Sequence, residues 1–150
     1  KVSSLPLPAR VAAVKAHFYS LWVGSINQPV VQYSLARLIW VSCPMLEGDK
    51  HYALAKKYMP NGTCGVITFG LKGGREEAVR MMDSLKMIAI VTHVADARSC
   101  VLHPASHTHR QMNDQELKEA GVQPDLISFS VGIENIDDII ADLSQALEQV

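Results

Sequence analysis

Histidine and cysteine side chains cluster in the last third of the chain at spacings that suit a metal ion. Cys100, His103, His107 and His109 give the pattern C-x2-H-x3-H-x-H. Zinc takes these ligand types, but its usual signatures pair closely spaced ligands from two separate elements. The alternative is a strand end followed by a polar loop, in which His103 bonds backbone groups before Pro104. We favour the loop and assign no metal ligand.

A glycine-rich run, Gly70 to Gly74, precedes a predicted helix and invites comparison with loops that cradle phosphate. It has neither the G-x-x-x-x-G-K-[ST] nor the G-x-G-x-x-G spacing, so it indicates a turn between strand and helix.

The remaining reactive side chains also fit structural roles. Ser106 and Ser130 lack the G-x-S-x-G context of an activated serine. Asp137 and Asp138 suit the first turn of a helix, where a negative charge interacts favourably with the positive end of the helix dipole. Cys100, in a predicted strand, is expected to be a small buried residue. These patterns therefore predict no catalytic residue.

Composition limits the classes of partner. The chain has 150 residues, 48% hydrophobic and 19% charged, with a formal net charge of -1. Nucleic-acid binding depends on basic patches, so no such partner is expected. No apolar run approaches the roughly 20 residues of a membrane span. Cysteines at 43, 64 and 100 form no C-x-x-C pair and indicate reduced thiols. We expect a soluble, cytoplasmic protein, and a first residue that is not Met suggests a fragment or processed start.

The C-terminal stretch carries the clearest structural pattern. Leu126 to Ile133 is rich in β-formers, and helical spacing begins at Ile136, with Asn135 as the expected N-cap. Its apolar face is predicted to comprise Ile136, Ile139, Ile140, Leu143, Leu147 and Val150.

Upstream, helices and strands alternate in a mixed order. Helices are predicted over Asp49–Tyr58 and Arg75–Leu85, and after a capping box formed by Asn113 and Glu116. Strands are predicted over Gly65–Leu71, Met87–Val91 and Ser99–Leu102. The expected fold is α+β, a small sheet with helices mostly on one face. Residues 1–40 are weakly patterned, with a possible helix over Ala9–Tyr19 and an undecided segment from Val30 to Val41.

Five separated strings, taken together, resemble the C-terminal domain of the O-acetylhomoserine sulfhydrylases, also called homocysteine synthases, of the Cys/Met-metabolism family of pyridoxal-phosphate enzymes. They are LEGDK (46–50), YALAKKYMPNG (52–62), FGLKGG (69–74), HPASHTHR (103–110) and SVGIE (130–134). The resemblance runs from about Val41 to the C-terminus. It predicts a substrate-binding domain over 41–150 and leaves 1–40 unmatched.

The resemblance implies the C-terminal domain of fold type I pyridoxal-phosphate enzymes, with a mostly antiparallel sheet. It implies a homo-oligomeric family that acts in methionine biosynthesis, converting O-acetylhomoserine and sulfide to homocysteine and acetate. The cofactor lysine lies in the family's large domain, which would precede Val41, and no lysine here occupies its motif. We therefore expect no pyridoxal phosphate on this chain alone, and no activity without that domain.

The resemblance also implies where an amino-acid substrate binds. An arginine in the strand before S-V-G-I-E usually holds the substrate's α-carboxylate, and here Ser128 occupies that position. The loss of a charge-assisted pair costs roughly 1.5–3 kcal/mol of binding. A second family contact matches His93, beside Thr92. Ser128, His93 and Thr92 are the predicted substrate-binding residues, with polar residues at a sheet edge as the alternative.

Three interpretations follow from the resemblance. The chain is a truncated or misframed sulfhydrylase domain, a stand-alone module that binds amino acids without catalysis, or a subunit that pairs with a separate cofactor-domain chain. In the last case, the exposed sheet face that meets the large domain is expected to be apolar.

Overall fold

The computed structural model describes residues 37–44, 49–60, 65–93 and 96–150. The predicted helix over Ala9–Tyr19, most of the undecided segment from Val30 to Val41, and Cys64 lie outside these ranges. The five strands are β1 (Leu38–Ser42), β2 (Val66–Leu71), β3 (Ala89–Ile90), β4 (Cys100–Leu102) and β5 (Leu126–Ser130). The helices are α1 (Tyr52–Tyr58), α2 (Arg75–Asp83), α3 (Asp114–Glu119) and α4 (Ile136–Leu147), with a 3₁₀ turn over Pro104–Ser106.

The strands form one sheet in the order β1-β2-β5-β4-β3. Only β3 and β4 run parallel, and the other three pairs are antiparallel. The predicted α+β fold with a mostly antiparallel sheet is confirmed. The prediction of a buried strand over Met87–Val91 is wrong in length and burial. β3 is a two-residue edge strand, in which Ile90 is 40% exposed because an edge strand has only one neighbour; before it, Met87 is 38% exposed and Ile88 is buried.

One face of the sheet packs against α2 and α4. Alternate strand residues point to this face, as the pleat requires. The core comprises strand residues Ile67, Phe69, Val101, Ile127 and Phe129 and helix residues Ala78, Met81, Met82, Ile139, Ala146 and Leu147. The predicted apolar face of α4 is confirmed, since its other four members pack against this core. No helix in the described ranges is long and apolar enough to cross a membrane.

Side-chain caps begin two of the described helices, α3 and α4. The capping box at α3 is confirmed: Asn113 Oδ1 accepts from the N–H of Gln115 and of Glu116 at 3.0 Å, and Glu116 accepts from the Asn113 N–H at 2.8 Å. Asn135 caps α4 by accepting from the Asp137 N–H at 2.9 Å. α1 begins at Tyr52 rather than Asp49, because the Asp49 carboxylate accepts from the N–H groups of Cys43 and His51 outside the helix.

A buried carboxylate on α4 fixes the segment that leads into β3. Asp142 is 7% exposed and accepts from three consecutive backbone N–H groups, those of Lys86, Met87 and Ile88, at 2.8–2.9 Å. Burial by itself raises the pKa of this carboxyl, but the three N–H donors together with Gln145 lower it below its usual value. Asp142 therefore ties the sheet edge to the helix layer as a carboxylate.

Candidate functional site

The sheet face opposite α2 and α4, here called the open face, carries Ser128 at its centre. β5 supplies Leu126, Ser128 and Ser130 to this face, while Ile127 and Phe129 point into the core. Ser128 is half-buried and pairs with Thr68 of β2 on one side and Leu102 of β4 on the other. Around Ser128 this face carries both the hydroxyl of Thr68 and the apolar side chain of Leu102.

The aromatic side chain of Trp40 covers part of the open face beside Ser128. The Trp40 indole N–H crosses from β1 over β2 and donates to the Asp125 carboxylate at 2.8 Å. Gly70 makes this possible, since a Cβ there would lie 2.0 Å from Asp125 Oδ2 and 2.1 Å from Trp40 Nε1. Trp40 pairs with Gly70, and Gly70 pairs with Leu126, two residues before Ser128, so the indole borders the candidate site.

Thr92 and His93 lie beyond the edge strand β3, and both are exposed. Since β4 separates β3 from β5, they stand about two strand spacings, roughly 10 Å, from the strand that carries Ser128. His93 Nε2 lies 2.8 Å from Asp96 Oδ2. The predicted residues therefore lie in two separate places: Thr92 and His93 in an edge loop, and Ser128 at the centre of the open face.

Asp96 organises that edge loop. Its carboxylate accepts from the backbone N–H of Arg98 at 3.0 Å and from the Arg98 guanidinium at 2.9 Å and 3.3 Å, besides the contact with His93. The Arg98 hydrogen bonds, and then that of His93, hold the pKa of Asp96 far below its usual range. Sequence reasoning missed both Asp96 and Arg98.

The string S-V-G-I-E forms a structural junction between β4 and β5. The Glu134 carboxylate accepts from the Ser99 N–H at 2.7 Å and the Ser99 hydroxyl at 2.9 Å, and the Ser99 oxygen accepts from the Gly132 N–H at 2.9 Å. A Cβ on Gly132 would lie 2.2 Å from the Ser99 nitrogen. Burial works to raise the pKa of Glu134, but hydrogen bonds from Ser99 and from its own backbone lower it. The sequence singled out this string by resemblance but did not predict that it joins β4 to β5.

The histidine loop has an internal hydrogen-bond chain. His103 is fully buried, with Nε2 2.8 Å from the Pro124 carbonyl and Nδ1 2.9 Å from Ser106 Oγ. A carbonyl only accepts, so Nε2 carries the proton and the Ser106 hydroxyl donates to Nδ1. Burial lowers the pKa of His103 and favours this neutral form. His103 therefore bonds backbone as predicted, although its partner lies 21 residues away.

This arrangement does not form a metal site within the described residues, where no group of three or more His, Cys, Asp or Glu side chains is placed to hold an ion. Cys100 is 5% exposed and contacts the Arg98 carbonyl through its sulfur, and burial raises the pKa of its thiol. Its predicted role as a small buried residue is confirmed.

Lysines are the remaining candidates for cofactor chemistry. Within the described ranges they are all exposed, and none lies in the enclosed setting that a Schiff base requires: Lys50, Lys56, Lys57, Lys72, Lys86 and Lys118. This part of the chain therefore does not fit pyridoxal phosphate, and its polar groups suit binding rather than covalent chemistry.

Comparison with known proteins gives a match over most of the chain. The family model described as Cys/Met metabolism PLP-dependent enzyme matches residues 32–148. The chain belongs to this family. An O-acetyl-L-homoserine sulfhydrylase of Leptospira meyeri is 44% identical over 115 residues, 76% of this chain and 26% of the relative. A homocysteine synthase of Schizosaccharomyces pombe is 49% identical over 109 residues, 73% of this chain and 25% of the relative.

Solved structures of Cys/Met metabolism enzymes share the fold. Cystathionine gamma-lyase from yeast superposes with a TM-score of 0.73 at 27% identity, over 94% of this chain and 33% of that protein. A Campylobacter jejuni protein described as an O-acetylhomoserine (thiol)-lyase gives 0.69 at 31% identity, over 95% of this chain and 31% of that protein, and carries a pyridoxyl-lysine. This chain thus spans about a quarter of its curated relatives.

Proposed function

We propose that this chain acts as the substrate-binding domain of an O-acetylhomoserine sulfhydrylase and holds the α-carboxylate of an amino-acid substrate. The observation that carries the proposal is the position of Ser128. It lies at the centre of the open face, in the strand where the family's arginine clamp is expected, with the hydroxyl of Thr68 and the Trp40 indole beside it. Relatives of 44–49% identity that bear the names of this activity support the substrate class.

Ser128 offers one neutral hydrogen-bond donor to a carboxylate, whereas a guanidinium offers two charged ones. The difference corresponds to roughly 1.5–3 kcal/mol of binding. Thr92 and His93 provide further polar groups from the edge loop. We therefore expect binding to be weak and selective for the free carboxylate.

The chemistry of sulfide transfer needs pyridoxal phosphate as the electron sink, and the described residues supply no lysine for it. We propose that a cofactor-bearing large domain, within a longer chain or on a separate one, completes the site in a cytoplasmic homo-oligomer. The proposed division places the substrate-binding domain at 41–150, with 1–40 apart from it.

The test is a thermal-unfolding titration with L-methionine and, as matched control, L-methioninamide. A ligand that binds only the native state raises the unfolding midpoint with concentration. We expect L-methionine to raise it and the amide, which lacks the carboxylate, to leave it unchanged. Equal shifts, or none with either compound, would show that the open face holds no carboxylate.

A stand-alone amino-acid-binding module is the second candidate, favoured by the exposure of every described lysine. The discriminating experiment mixes the chain with pyridoxal phosphate, O-acetyl-L-homoserine and sulfide, and measures homocysteine with and without a co-expressed large domain of the Leptospira meyeri relative. Homocysteine formed only with that domain supports the sulfhydrylase assignment. Ligand binding with no activity in either mixture supports the module.

A further inference from the structure

We propose that Asp96 is a positioning residue for His93: by accepting from Nε2–H it fixes the orientation of the imidazole, so that Nδ1 points away from Asp96 and, in the imidazolium form, donates to a ligand carboxylate. This inference rests on the substrate-binding role proposed for His93. It assigns a function to a carboxylate that the resemblance to known enzymes did not single out.

The loop geometry gives Asp96 a fixed place. Its side chain is 17% exposed, while those of His93 and Arg98 are 56% and 63% exposed. Three hydrogen bonds from Arg98, one of them from the backbone, hold the carboxylate. Asp96 therefore has bonds that do not depend on His93, whereas Asp96 is the residue that bonds the His93 ring within the described ranges.

The contact also selects a tautomer. A carboxylate held as strongly acidic as Asp96 only accepts hydrogen bonds, so His93 Nε2, 2.8 Å from Oδ2, must carry the proton. Nδ1 then faces away from Asp96, and no other described residue hydrogen-bonds to it. In the imidazolium form, Nδ1–H is a charged donor, and the positively charged ring lies between Asp96 and a ligand carboxylate.

The first arm of the test needs no ligand. Nitrogen-15 shifts of the His93 ring, measured where the ring is neutral, report which nitrogen is protonated. We expect separated shifts of a single tautomer in the wild type and in Asp96→Asn, whose amide oxygen still accepts from Nε2. In Asp96→Ala the two shifts should move together as both tautomers become populated. Averaged shifts in the wild type, or unchanged ones in Asp96→Ala, would overturn the proposal.

The second arm is a double-mutant cycle on L-methionine affinity. Asp96→Ala should weaken binding roughly 2- to 10-fold in the wild type, the range of one hydrogen bond, and have no effect when His93 is already alanine. Equal losses in both backgrounds would mean that Asp96 does not act through His93. Glu77→Ala is the matched control, because it breaks an exposed ion pair with Arg80 on α2 and should leave affinity unchanged.

The two failures are distinguishable. If His93→Ala itself leaves affinity unchanged, the proposed role of His93 fails and the ligand half of the inference is overturned with it. The ring shifts then still decide, independently, whether Asp96 sets the tautomer.

Discussion

Two carboxylate-centred regions of the molecule differ in what their hydrogen bonds hold. Glu134 accepts from the N–H and the hydroxyl of Ser99, and Asp142 on α4 accepts from three consecutive backbone N–H groups, so each carboxylate joins one part of the fold to another. Asp96 accepts mainly from two exposed side chains within three residues of itself. The contacts of Glu134 and Asp142 hold elements of the fold together, while those of Asp96 hold an exposed side chain, that of His93, at the edge of the sheet.

The comparison separates recognisable strings from functional side chains. S-V-G-I-E and H-P-A-S-H-T-H contribute the Gly132–Glu134 junction and the buried His103 chain, both of which are architectural. The proposed binding groups, Ser128 and His93, take part in few of these contacts. If these groups bind the substrate as proposed, a substitution at either position is expected to change binding with little effect on stability.

The largest effect is expected at Asp142. Asp142→Ala leaves three buried or half-buried backbone N–H groups without their acceptor, which should lower the free energy of unfolding by about 2–4 kcal/mol. Denaturant unfolding measures it. Asp138→Ala, an exposed carboxylate on the same helix, is the control, with an expected loss of about 0.3–1 kcal/mol from the helix dipole. Equal losses would remove the special status given to Asp142.

The same residue predicts a pH dependence. The pKa of Asp142 is lowered by folding, so its contribution is present above the unfolded-state value and is lost as pH falls through the folded-state value. The stability difference between wild type and Asp142→Asn should therefore be constant near neutral pH and shrink below about pH 4. Unfolding midpoints between pH 7 and pH 2.5 provide the measurement, and a difference that grows in acid would reverse the assigned sign.

The next effect is expected at the β4–β5 junction. Gly132→Ala places a methyl group against the Ser99 backbone and the Glu134 carboxylate, with an expected loss of about 1–3 kcal/mol from overpacking. Gly65→Ala is the matched control, because its Cβ would meet the nearest atom, the Val131 carbonyl oxygen, at 3.5 Å, an ordinary contact. If both variants unfold at the same denaturant concentration, Gly132 is not required for the close approach.

The smallest effect on stability is expected in the edge loop. His93→Ala and Asp96→Ala should leave the unfolding midpoint unchanged within error, because both contacts are made by exposed or locally paired side chains. Differential scanning calorimetry at neutral pH measures this. A loss comparable to that of Gly132→Ala would mean that the loop is part of the framework and would erase the contrast between the two regions.

The sequence predicted local features well. The apolar spacing from Ile136 predicted α4, and the Asn113–Glu116 pair predicted its own capping box, because each pattern lies within a few residues. It did not predict that Asp142 bonds Lys86, that Ser99 bonds Glu134 or that His103 bonds Pro124, partners that lie 56, 35 and 21 residues away. Such contacts depend on the order of strands in the sheet, which spacing along the chain does not encode.

The candidate site divides in the same way. Resemblance identified Ser128 and His93 by position, but the pleat that puts Ser128 on the open face and the Asp96 contact that orients His93 required the structure. Trp40 was missed because its partner, Asp125, is 85 residues away and the gap at Gly70 that admits the indole leaves no local pattern.

The most direct test of the central claim is calorimetric titration of L-methionine against the wild type, Ser128→Ala and Ser128→Arg. If Ser128 faces the ligand carboxylate, arginine should tighten binding by roughly 10-fold or more through a charge-assisted pair, and alanine should weaken it. L-methioninamide should show neither change. Equal affinity of all three proteins for L-methionine would contradict the claim that the open face around Ser128 binds the substrate carboxylate.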